Sequence, residues 1–83
     1  MNDTNNEKLY RSSDLGLTAF LYTIGHQILT IDKTDPKRAM LVFKKTSRLE
    51  SDLEDYYARN GRVNPTDYFN AIRDLKSRIY EKN

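Results

Sequence analysis

His26 is the only histidine in a chain of 83 residues that contains no cysteine. A nucleophilic site therefore has a single candidate base and no thiol to activate. His26 directly follows Gly25, a residue placed to end a helix, where an imidazole far more often caps or packs than reacts. The three glycines are isolated and far apart, so no phosphate-cradling loop exists. Glu50, Asp52, Glu54 and Asp55 form the only acidic cluster. On a helix Glu50 and Glu54 share one face while Asp52 and Asp55 turn toward another. That spacing reads as a solvated surface, with Asp55 and Arg59 as an i,i+4 pair, rather than as a metal site. The expectation is a non-enzymatic domain with no catalytic residue, no cofactor and no metal.

Binding chemistry is better represented. The net charge is only +2, but it is unevenly laid down. Residues 33–48 hold six basic side chains, Lys33, Lys37, Arg38, Lys44, Lys45 and Arg48, against one acid, whereas residues 49–60 hold one base against four acids. The basic stretch is the first candidate for contact with an anionic partner. Lys33, Lys37 and Arg38 lie together, and Lys44 and Lys45 stand about 17–20 Å further along an extended strand. They suit a stripe along a phosphate backbone more than one tight pocket. The competing reading is edge-strand protection by lysine. A second candidate surface combines Phe69, Arg73, Lys76 and Tyr80, which share one flank of a helix at 100° per residue. Cations interleaved with aromatic rings suit stacked, single-stranded bases. The competing reading is that the rings pack and the cations snorkel past them. Six tyrosines either replace phenylalanine in a shallow core or enrich a binding surface. Tyr56 and Tyr57, being consecutive, point to different sides of a helix, so one of them is expected near the surface.

The elements that must position these residues follow from periodicity and punctuation. Residues 1–9 are polar and aperiodic and read as a disordered tail, leaving 10–83 as a single small domain. Ser12, Ser13 and Asp14 supply capping oxygens for a first helix. Leu17, Phe20, Leu21 and Ile24 form its stripe, and Gly25 ends it. Leu15, Ala19 and Tyr22 make its other side apolar too, so it is either the central element or a partner-facing one. HQILTID and RAMLVFKK read as two strands of an antiparallel hairpin, turned at Asp35–Pro36 through a loop of roughly four to six residues. Ser47 and Glu50 form a capping box for a second helix carrying Leu49, Leu53, Tyr56 and Tyr57, stopped by Asn60–Gly61. Asn64, Pro65 and Asp67 start a third, with Tyr68, Ile72, Leu75 and Ile79 inward, running to about Tyr80. The fold class is α+β, in the order helix–strand–strand–helix–helix, with three helices packed on a two-stranded hairpin.

Several segments together, Ser12–Leu21, Gly25, Leu29-x-Ile31-Asp32, Pro36-x-Arg38-Ala39, Arg62–Asp67 with Tyr68-Phe69-x-Ala71, and Leu75–Tyr80, resemble a family of small uncharacterised domains found in bacteria, phages and other mobile elements. Ser13-Asp14-Leu15 and Val63-Asn64-Pro65 are its most specific parts. The resemblance covers nearly all of residues 10–80. It implies a compact stand-alone domain of unknown function and supplies no catalytic or binding residues.

The chain has no apolar run near the ~18 residues of a membrane span, and its N-terminal order is unlike a signal peptide. A cytoplasmic location is expected. Zero cysteine excludes disulfides and thiolate metal sites. A chain this short buries about 60–65% of its unfolded surface, which leaves little room for a catalytic cavity. The function expected is a small binding domain, a nucleic-acid accessory protein of a mobile element or phage. The alternative is a protein–protein interaction module, as a homodimer or as a regulator of a host protein.

Overall fold

Among the described residues the first element is a strand, Leu9–Ser12, at the end of a polar stretch. The structure, a computed structural model, describes residues 8–81. In it β1 (Leu9–Ser12) precedes α1 (Leu15–Thr23), β2 (Ile28–Asp32), β3 (Met40–Lys44), α2 (Ser47–Tyr57) and α3 (Pro65–Ile79). The class is α+β as expected, but the sheet has three antiparallel strands, not two. β3 is central, with β1 on one side and β2 on the other. Tyr10 lies opposite Phe43 and Ser12 opposite Leu41, and the Lys8 carbonyl accepts from the Lys45 amide at 2.9 Å. The tail expected over 1–9 therefore overlaps the sheet at its last two residues; residues 1–7 lie outside the described part. The physical reason is that a lone hairpin is marginal and gains from a third strand. Four residues pairing with a strand some thirty positions away leave no periodic signal of their own.

The hairpin is present, and its loop, Lys33–Ala39, is longer than expected. Asp35 and Pro36 make the turn: the Asp35 carbonyl accepts from the Arg38 amide at 3.1 Å and its carboxylate from the Lys37 amide at 2.9 Å. Asp32 repeats the device with Thr34 at 2.9 Å, and hydrogen bonds from Thr34 hold its carboxyl below the ordinary range. β2 carries a bulge. Ile28 pairs with Phe43 and Thr30 with Val42, so Leu29 is the extra residue. The bulge resets the alternation: Ile28 and Ile31 both face the core with Phe43 and Leu41, and Leu29 is left 46% exposed. Val42 is buried on the other face, outside that core.

α1 is the central element. Leu17, Ala19, Phe20 and Leu21 are all buried, and the helix packs against β1, α2 and α3. Its apolar girdle is thus core within the chain. Its polar residues are satisfied locally: Thr18 Oγ1 donates to the Asp14 carbonyl at 2.9 Å and Thr23 Oγ1 to that of Ala19 at 2.6 Å. Asp14 caps the start, accepting from the Leu17 amide at 3.2 Å. The end is a Schellman motif. His26 N donates to the Leu21 carbonyl and Gly25 N to that of Tyr22, with Gly25 at φ 106.

The same motif ends α2, with a difference. Asn60 N reaches the Asp55 carbonyl and Arg59 N that of Tyr56, so the positive φ of 64 falls on Arg59. Neither Asn60 nor Gly61 holds that position. Gly61 is small for another reason: a Cβ there would stand 2.7 Å from Phe20 Cε1. With Arg59 beyond the helix, the expected Asp55–Arg59 pair has no shared helix face. The α2 cap also falls one residue earlier than expected, because the Thr46 hydroxyl accepts from the Leu49 amide at 3.0 Å. α3 begins as expected, with Asn64 Oδ1 accepting from the Asp67 amide at 3.0 Å. It runs to Ile79, with Tyr80 as its C-cap.

Candidate functional site

The six basic residues of the hairpin region separate into three groups. Lys33 serves the fold. Its ammonium donates to the Arg78 carbonyl at 2.8 Å and the Glu81 carbonyl at 3.2 Å. Arg78 lies in the last turn of α3 and Glu81 just beyond its C-cap, where carbonyls lack partners within the helix and favour a cation. Lys45 and Arg48 lie at the far end of β3. Lys45 Nζ is 3.7 Å from Glu50. Arg48 donates to the Ile24 carbonyl at 2.7 Å and stands 3.7 Å from Asp52. Lys44 borders the neighbouring cleft with Gly25, His26 and Arg48. Of the six, Lys37 and Arg38 line both clefts that reach Tyr80 of the second candidate surface, and Lys33 lines one of them.

That meeting is the main feature of the molecule's surface. By gripping the end of α3, Lys33 brings its last turn against the β2–β3 loop. Lys37, Arg38, Ile79 and Tyr80 line a shallow cleft of about 300 Å³. A contiguous cleft of about 270 Å³ adds Ser13 and Lys76 to Lys37, Arg38 and Tyr80. Lys37, Arg38 and Lys76 therefore surround one concavity with the ring of Tyr80, which is 75% exposed. Asp35 also lines the first cleft, and its carboxylate accepts from the Lys37 amide. Phe69 and Arg73 continue the surface up α3. Phe69 is 59% exposed and the Arg73 guanidinium lies 5.9 Å from its ring centroid. The rings at Phe69 and Tyr80 are thus not packed onto the hairpin.

α3 segregates its charges. Asp74 and Arg78 turn the other way, paired at 3.7 Å. There the Tyr22 hydroxyl donates to Asp74 at 2.8 Å, and Arg78 lies 5.6 Å from the Tyr22 ring centroid. The bond to Asp74, with some burial, raises the Tyr22 pKa. A cleft beside this pair is bordered by Asp67 and Asp74, whose carboxylates make it unfit for an anion.

His26 is buried, and its Nε2 lies 2.6 Å from Asp52 Oδ2. The pair, with Arg48, ties the α1–β2 connection to α2. Asp52 is therefore not on a solvated face. The sequence signal was its position three residues after Leu49, one turn along the buried stripe. Tyrosines gather at the opposite end of α1. Tyr68 donates to the Gly16 carbonyl at 3.0 Å, Tyr56 packs on Phe20 with centroids 5.4 Å apart, and Tyr57 is 65% exposed. Burial raises the pKa of Tyr10, with Tyr57 adding to it. Burial, then the charge of Asp14, raises that of Tyr56.

No described helix is long and apolar enough to cross a membrane. Compared with known proteins, residues 7–81 match the model of a family described as a domain of unknown function, DUF5659. No curated protein matches, and no solved structure matches.

Proposed function

The chain belongs to the DUF5659 family, a membership that brings no activity with it, and from the geometry of its surface we propose that it is a non-enzymatic nucleic-acid-binding accessory protein, acting in the cytoplasm for a mobile element or phage. One observation carries the reading. Lys37 and Arg38 from the β2–β3 loop and Lys76 and Tyr80 from α3 share one concavity, although they are almost forty residues apart. Phosphates are bound by clustered cations through counterion release, and the cluster matters more than the net charge.

A fluorescence-anisotropy titration of the full chain with labelled DNA and RNA tests the reading. Binding at ~50 mM salt that weakens as salt is raised is expected. The absence of binding to every nucleic acid at low salt removes it. The protein-interaction alternative loses one of its motives, since the apolar sides of α1 are buried within the chain itself.

A further inference from the structure

The nucleic-acid reading leaves open which form of nucleic acid fits, and the ridge along α3 bears on that. At 100° per residue, Phe69, Arg73, Lys76 and Tyr80 fall within about 60° of one another around the helix axis. Phe69 and Tyr80 themselves differ by only about 20°, and stand about 16 Å apart along it. All four residues are exposed. The order along the ridge is ring, cation, cation, ring, with Lys37 and Arg38 beside the second ring. The acids of α3 are elsewhere: Asp67 and Asp74 lie about 140–160° round from Phe69.

We propose that this ridge holds an extended single strand, with bases stacked on Phe69 and Tyr80 and the intervening phosphates on Arg73 and Lys76. The proposal rests on the nucleic-acid reading and specifies its ligand. A duplex keeps its bases stacked on one another and offers no π-face to a side chain, so two large exposed rings gain nothing from it. A single strand offers a face at every base, and stacking on an aromatic ring is tolerant of sequence. Phe69 already carries the Arg73 guanidinium near one part of its ring, an arrangement that also brings the cation to where the adjacent phosphate would run. Tyr80, as the C-cap of α3, projects beyond the last turn toward Lys37 and Arg38, which take the next phosphates. The shared chemistry is a flexible phosphodiester chain with unpaired bases, whether its sugar is ribose or deoxyribose.

The test uses the full chain and labelled oligo-dT and oligo-U of about ten nucleotides, within the usual range of single-strand site sizes. A blunt duplex of equal length is the comparison. Single strands are expected to bind about tenfold or more tightly than the duplex. Tyr80→Ala and Phe69→Ala are each expected to weaken single-strand binding by about 5- to 150-fold, the range measured for loss of one stacked base. Tyr80→Phe, which keeps the ring, is expected to hold affinity within about twofold. The dT and U arms decide the sugar, and tight binding of either supports the proposal. A duplex bound as tightly as the single strands overturns it while leaving the nucleic-acid reading standing. Unchanged single-strand affinity in both alanine variants overturns it as well. Failure of all three ligands to bind overturns the underlying reading instead.

Discussion

Removing Lys33 should loosen one turn of one helix and leave the rest of the domain unchanged. The Lys33 ammonium bridges the Arg78 and Glu81 carbonyls at 2.8 and 3.2 Å. Two charge-assisted hydrogen bonds would be worth several kcal/mol if buried, but this lysine is exposed, and a cation at an exposed helix C-terminus contributes about 0.3–1 kcal/mol. Taking the upper end, Lys33→Ala costs about 1 kcal/mol locally, or about fivefold in the opening equilibrium of the last turn. Native-state hydrogen exchange reads this directly. Protection at the amides of residues 77–80 should fall about fivefold, while amides of α1 and β3 keep theirs. Lys37→Ala is the matched control: it removes the same charge from the same loop without touching either carbonyl. Equal protection in Lys33→Ala and the parent, or an equal loss in Lys37→Ala, would refute the reasoning. The second result would mean that general electrostatics, not the bridge, holds the turn.

Gly61→Ala should lose about 1–3 kcal/mol in urea unfolding through overpacking, because the new Cβ meets Phe20 Cε1 at 2.7 Å. Pairing it with Phe20→Leu should return part of the loss, and a neutral Gly61→Ala would contradict the contact. Arg59→Gly should raise stability by about 0.5–1 kcal/mol, since glycine relieves the side chain of its left-handed conformation; a lower urea midpoint would count against that account. A double-mutant cycle on His26→Ala and Asp52→Asn should give a coupling of about 1–3 kcal/mol for the 2.6 Å contact, and additive effects would deny it. Tyr10, Tyr22 and Tyr56 all have raised folded-state pKa values. Their neutral forms are favoured by folding, so this stability is fully present below the unfolded phenol value of about 10 and is lost as pH climbs through the folded values. Alkaline unfolding followed by phenolate absorbance should show a smaller loss in Tyr22→Phe than in the parent; identical curves would show that the bond to Asp74 does not couple to folding.

How much of this was legible beforehand depended on how local the cause was. α3 could be read nearly to the residue because Asn64, Pro65 and Asp67 act within one turn of it. The end of α2 could not. Asn60–Gly61 is a strong helix stop by residue type, but Gly61 is needed where Phe20 passes, so the left-handed position is left to Arg59. That trade is made between residues forty apart, and no window along the chain contains both. The bulge at Leu29 is similar. Strict alternation puts Ile28 and Ile31 on opposite faces, and only pairing with β3 reveals that both turn inward. β1 was missed because four residues, LYRS, cannot display a period, and their reason to be a strand lies in β3. Of the candidate site, the basic and aromatic residue types could be read from the sequence, but the meeting of the two surfaces could not, because it depends on Lys33 reaching the end of α3.

The cations also show why net charge is a poor guide to what this surface can attract. In the hairpin region, Lys33, Lys45 and Arg48 each have a place in holding elements together, through the carbonyls of Arg78 and Glu81 at the end of α3, through Glu50, and through Ile24 and Asp52. A cation committed in that way still contributes to the field but cannot follow a ligand's phosphates. Lys37 and Arg38 border the cleft with Lys76, and Arg73 extends the ridge, while Asp74 turns away to pair with Arg78. The single strand proposed to lie along α3 would meet about four cations, with Asp35 in the lining of the cleft beside Tyr80, on a molecule whose total is only +2. Four neutralised phosphates on a single strand give a salt slope of at most about −3 in log–log form. Affinity carried by those charges alone would fade quickly as salt rises. Under the single-strand proposal, affinity that persists at higher salt would come from the rings of Phe69 and Tyr80, whose stacking releases no counterions, so salt would separate charge from stacking on the same surface.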